Sequence, residues 1–173
     1  MLTAKLPSIL LSNLFIVFFL IAIFTTITKV RRVRLSRRPV NASYVFWGEL
    51  LFYSVGFGML WSGAVHAYAQ QAVASSFGWQ PSPFAYELGW AQIGLSVVAM
   101  ASLWRGTEFR LAATTIFVIA SFAAAFQHIA QMRYAHNYAA GNTALVLWFG
   151  DILLPLILLV LAIVNREEEL RRY

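Results

Sequence analysis

Five stretches of this chain are each long and apolar enough to cross a bilayer, and that property decides most of what it can fold into. A helix through the hydrocarbon core needs roughly 20 apolar residues, because lipid offers no partner to an open backbone N–H or C=O. The stretches lie near 7–28, 44–72, 85–104, 111–132 and 144–164. The rest of the chain agrees. It is 60% hydrophobic and 12% charged, against about 45–50% and about 25% in soluble domains. No polar segment is long enough for a second, soluble domain, and no internal repeat is visible. The expectation is an all-α integral membrane bundle of five transmembrane helices, one domain over residues 1–173. There is no cysteine, which excludes disulfides, thiolate metal sites and cysteine nucleophiles.

The order of charges around the first stretch separates it from a signal peptide. Signal peptides carry basic residues before the apolar run and small residues after it. Here only Lys5 precedes the run, and "KVRRVRLSRRP" follows it. This predicts an uncleaved helix with its N-terminus outside. The inner loops then hold Lys29, Arg31, Arg32, Arg34, Arg37, Arg38, Arg105, Arg110, Arg166, Arg171 and Arg172, and the outer side only Lys5 and Arg133. Basic residues favour the cytoplasmic side, so the C-terminus is expected in the cytoplasm. The net charge of +6 is therefore read as a topology signal facing anionic headgroups, with the lipid bilayer as partner and no nucleic acid. Aromatic residues frame both surfaces, with Tyr44, Phe46, Trp47 and Trp104 inside and Trp79, Tyr86, Tyr134 and Tyr138 outside.

Within the spans the ionisable residues are few: Glu49, His66, Glu87, His128 and Asp151. Glu49 falls near the inner end beside the basic loop, where an interfacial salt bridge is expected. The other four sit on four different helices, all in the outer half. At a rise of 1.5 Å per residue they share a depth to within roughly 10 Å. Small residues repeat at helical spacing near them: Gly58 and Ser62 with His66 and Gln70; Ala120 and Ala124 with His128; Ala91 and Gly94 with Glu87. Such faces let helices approach closely in lipid, so the polar groups are expected to point into the bundle. Gln127 and Gln131 are placed to solvate His128, Asn137 and Asn142 to cap helix ends, and His136 is expected on the surface. Asp151 lies four residues before Pro155. In an α-helix that proline deprives the Asp151 carbonyl of its partner.

Ionisable groups inside a membrane are costly and mark function or a polar network. Two imidazoles and two carboxylates suit several chemistries. His66, Glu87, His128 and Asp151 are hard-to-borderline ligands for a divalent metal, although their wide separation in sequence forms no local ligand motif. They also suit a small ligand from the lipid, such as a quinone, with Asp151 and His128 exchanging protons and Gln70 and Gln131 lining the site. Proton-coupled transport is disfavoured, since no polar path to the inner side shows in the sequence. The remaining reading is an accessory or assembly subunit, partnered in a membrane complex, whose polar cluster only fixes packing.

Certain segments carry a resemblance. "YELGWAQIGLSVVAM", "FRLAATTIFVIASFAAAFQHI" and "NYAAGNTALVLW" together resemble the DoxX-like group of small bacterial membrane proteins, over roughly residues 55–165. The match falls on Glu87 in "ELG", on "FRLAA" opening the next helix and on His128 near its close. "GWQPSPF", "GN" and "DILLPL" mark a relative of that group rather than a typical member. The resemblance implies a four-helix core plus the N-terminal span, a bacterial inner-membrane location and a redox-associated role, since some members are linked to thiosulfate:quinone oxidoreduction or redox-complex assembly. The added first span, His66 and Asp151 depart from the pattern.

Overall fold

The computed structural model describes residues 14–143 and 145–170, with side chains as far as Glu167. Lys5, Arg171, Arg172 and the first seven residues of the 7–28 stretch lie outside them. Every regular element among the described residues is a helix. Five are long and apolar enough to cross a membrane: α1 (Leu14–Leu35), α2 (Ala42–Tyr68), α4 (Phe84–Trp104), α5 (Thr107–Tyr134) and α7 (Val146–Glu167). Two short helices, α3 (Gln70–Phe77) and α6 (Ala140–Thr143), sit between them at the end of the bundle where His128 lies.

Local chemistry sets the helix ends. At the close of α1, Arg38 N–H bonds to Val33 O and Arg37 N–H to Arg34 O. Arg37 takes a left-handed φ of 55°, which completes a Schellman stop, and Pro39 follows. Asn41 then caps α2, its side chain accepting from Tyr44 N–H at 2.9 Å. Asn165 of α7 holds this start in place, accepting from Ser43 Oγ at 2.9 Å and Asn41 Nδ2 at 3.2 Å.

The helix of the second span stops at Tyr68, short of residue 72, because Ala69 leaves the helical region (φ −129°, ψ 40°). Gln70 therefore opens α3 and does not continue the four-residue repeat of Ser62 and His66. Helix α3 ends at Gly78, whose φ of 66° closes another Schellman turn through Trp79 N–H to Ala74 O.

All five long helices supply the core, in which Ala22, Trp47, Leu51, Ala99, Phe117 and Leu158 are buried together. A close backbone approach joins α2 to α4. A Cβ at Gly63 would fall 2.6 Å from Gly89 O, and one at Gly89 would fall 2.6 Å from Ala67 N. Small residues do allow helices to touch here, but they are Gly63, Ala67 and Gly89. The face with Glu87, Ala91 and Gly94 is exposed, so the expected inward direction of Glu87 is corrected. Ala120 of α5 is exposed as well. The buried stripe of α5 runs through Arg110, Thr114, Phe117, Ser121, Ala125 and His128, at spacings of three and four that keep one face inward.

Two stretches wind as π-helix, Leu50–Phe57 in α2 and Val146–Leu153 in α7. The second answers the question raised by Pro155. Leu154 N–H bonds to Phe149 O, five residues back rather than four. The next residue is Pro155, with no N–H to give. The helix thus meets the proline by widening, and a π-turn of this kind often marks a functional position. Asp151 lies inside it.

Candidate functional site

His128 is buried in the last two turns of α5, only 6% exposed. Asn142 of α6, completely buried, holds one side of the ring, with Oδ1 3.0 Å from His128 Nδ1. The direction of that bond follows from the amide. Asn142 Nδ2 donates to Phe77 O at 3.1 Å and Asn137 O at 3.3 Å, so Oδ1 is the end turned to the imidazole. A carbonyl oxygen only accepts, and Nδ1 must carry the hydrogen. The other nitrogen, Nε2, faces Asp151 Oδ2 at 3.7 Å.

Aromatic rings wall this pair. Phe77 lies nearly parallel to the His128 ring, with centroids 5.0 Å apart and planes 9° from parallel. Trp79 stacks on both, 5.9 Å from His128 and 4.8 Å from Phe77. The Gly78 turn makes this possible by bringing residues 77 and 79 to the same side. Phe77 is fixed by its carbonyl, which also receives Asn137 Nδ2 at 2.8 Å, and by Gly141, where a Cβ would lie 2.5 Å from the Phe77 ring. Gln131 Oε1 accepts from Asn137 Nδ2 at 3.4 Å, adding a further layer. Two buried atoms here have no hydrogen-bond partner, Asp151 Oδ2 and Trp79 Nε1. One is an acceptor and the other a donor, and both sit beside the same imidazole.

The six residues expected to converge do not form one cluster. His128, Asp151 and Gln131 belong to the site just described. His66 is turned back on its own helix, with Nδ1 2.8 Å from Ser62 O, while Ser62 Oγ donates to Gln92 Oε1 of α4 at 3.2 Å. Glu87 and Gln70 line a shallow surface hollow of about 490 Å³ with Pro81, Pro83 and Tyr86. Among the described residues no three His, Asp or Glu side chains gather closely enough to hold a metal ion. The four-residue metal set is therefore not assembled. The physical reason is rotational. A shared depth does not bring side chains together when Glu87 points outward and His66 satisfies itself locally. Phe77, Trp79 and Asn142 complete the site and were not expected in it. Only the pattern around "GN" pointed their way, as a helix cap.

The opposite end carries a second buried cluster. Lys29 Nζ bonds to Glu49 Oε1 at 2.6 Å, the salt bridge expected there, although the carboxylate is only 1% exposed rather than interfacial. Arg110 was expected in a loop but is a buried residue of α5. It donates to Tyr44 O at 2.7 Å, Ser102 O at 3.0 Å and Leu103 O at 3.2 Å, and lies over the Tyr44 ring. Gly48 leaves the room, since a Cβ there would sit 2.8 Å from Arg110 Nη2. The guanidinium thus closes the C-terminal end of α4 and ties it to α2.

No curated protein and no solved structure matches this chain. A family model does, over residues 12–171, which covers every span and both clusters. The chain is a member of the family of unknown function DUF6790.

Proposed function

We propose that this protein works at the His128 end, where His128 and Asp151 hold and hand over a proton to a small ligand that enters from the lipid. One observation carries the reading: with Nδ1–H committed to Asn142, the lone pair of His128 Nε2 looks toward a carboxylate oxygen 3.7 Å away. Two acceptors facing each other repel unless a proton, or a group that donates one, lies between them. The neighbouring Trp79 Nε1–H is a donor with no acceptor. A flat ligand with carbonyl or hydroxyl oxygens meets all three needs. It lies at the edge of the Trp79 indole, accepts from its in-plane Nε1–H and exchanges a proton with Asp151. A quinone has that chemistry, and its electrons would pass through a partner subunit in a membrane complex.

Kinship with the DoxX-like group and a redox-associated role are parts of the same proposal. So is a bacterial inner-membrane setting with the N-terminus out, the His128 end outside and the basic residues Lys29 to Arg38 in the cytoplasm. The charge bias of the loops supports that orientation.

A second reading draws on the saturation of Asn142. Its amide joins His128, Phe77 and Asn137 at one buried point, as a clamp on the loops would. On that reading the protein is a non-catalytic assembly subunit. Titration of the purified protein with decylubiquinone separates the two. Saturable quenching of tryptophan fluorescence, lost in Trp79→Phe and weakened at least tenfold in Asp151→Asn, is expected for the ligand site. Absence of saturable quenching, or equal binding by Asp151→Asn, would remove the proton-exchange reading and leave the clamp.

A further inference from the structure

The end of the bundle opposite His128 carries a groove that the proposed ligand site does not use. It runs between the last turns of α1 and the start of α2 and encloses about 510 Å³. Ile27, Val30 and Leu35 supply apolar wall, Ala42 closes it from the α2 side, and Arg31 and Arg34 stand on its rim. The helix period explains this lining. Residues 27, 30, 31 and 34 fall on one face at spacings of three and four. The two guanidinium groups are therefore one turn apart and look toward the same space. Both are exposed, and no acidic side chain is recorded against either among the described residues. By contrast, the neighbouring Lys29 is spent on Glu49.

We infer that this groove binds one anionic phospholipid, its phosphate held between Arg31 and Arg34 and an acyl chain laid along Ile27 and Val30. The charge match selects the headgroup. Arginine forks bind phosphate oxygens in pairs, and two guanidinium groups with no counter-ion among the described residues can take an external one. Position selects a lipid over free phosphate. The groove begins where the apolar run of α1 gives way to "KVRRVRLSRR", so its polar rim meets the headgroup layer and its floor meets the chains. Arg37 and Arg38 belong to the same basic run but lie past the helix stop and do not line the groove. They provide an internal control with equal charge.

The test is native mass spectrometry of the full protein, released from detergent after titration with dioleoylphosphatidylglycerol or dioleoylphosphatidylcholine. The wild type is expected to retain one phosphatidylglycerol in preference to phosphatidylcholine. Arg31→Gln/Arg34→Gln should bind it more weakly, on the order of thirty-fold for two lost surface charges. Arg37→Gln/Arg38→Gln should keep most of the affinity. Inorganic phosphate at equal concentration should not displace the lipid. The inference fails if the two double variants lose affinity equally, which would make the effect bulk charge. It also fails if the two lipids are retained alike, or if phosphate alone competes. Both pairs are exposed, so matching thermal unfolding of the two variants confirms that they are folded.

Discussion

At the Glu49 end of the bundle, charge is enclosed by donors and acceptors at short range. Arg110 reaches three backbone carbonyls within 3.2 Å, and Lys29 meets Glu49 at 2.6 Å. At the His128 end the two ionisable side chains stand 3.7 Å apart, and a carboxylate oxygen and an indole N–H have no partner. The second oxygen of Glu49 is also unpartnered, but the first is fully engaged. Burying polar groups costs free energy that only good geometry returns. A satisfied network behaves as a fixture of the fold. One that is half satisfied keeps binding capacity for something that comes and goes. The comparison marks Arg110 as a tie between helices and Asp151 as the residue on which the proposed proton exchange rests.

Four substitutions can break or sharpen that contrast. The largest effect belongs to Arg110→Met. It strands three carbonyls at the end of α4 and should lower stability by about 3–5 kcal/mol, read as thermal unfolding in micelles. If that variant melted like the wild type, the structural role of the Glu49 end would be lost. Next comes Gly89→Val. Its side chain would collide with backbone atoms of Gly63 and Ala67, and overpacking of this kind costs about 1–3 kcal/mol. It tests whether the His128 half is held by close helix approach more than by its polar pair. A penalty smaller than that of Asp151→Asn would reverse the ranking.

Asn142→Leu follows. The substitution keeps the volume but removes the acceptor of His128 and a donor to Phe77, and a loss of about 1–3 kcal/mol is expected. The smallest change in stability, within about 1 kcal/mol, is expected for Asp151→Asn, since the present contact is too long for a good hydrogen bond. A double-mutant cycle of Asp151→Asn with His128→Gln sharpens the point. Coupling well above 1 kcal/mol in the ligand-free protein would make the pair a structural tie.

The positions of the five spans were legible because lipid imposes one demand on every residue. A long run of apolar side chains can be read without knowing its neighbours. Helix stops were less legible. The apolar run of α1 ends near residue 28, yet the helix continues through the basic residues to Leu35. The stop at Arg37 and the Asn41 cap became visible only in the structure. The rotational setting of each helix was harder to read. Ala91 and Gly94 form as plausible a packing face as Gly63 and Gly89, and on the surface of a span lipid and protein are equally apolar neighbours. The sequence therefore had no means of showing that Glu87 faces out. The break at Ala69, which detaches Gln70 from His66, carries no proline or glycine and left no trace either.

What the residues determine alone is the class of molecule: a five-span helical membrane protein without thiol chemistry, with its basic residues concentrated on one side. Hydropathy and charge act locally, and no partner is needed to evaluate them. Only the tertiary structure decided which intramembrane polar groups meet. His128 finds Asp151 across a π-turn and Asn142 across a short helix, while His66 and Glu87 go elsewhere. Such meetings depend on how each helix is turned about its axis, and that is set by contacts between residues far apart in the chain.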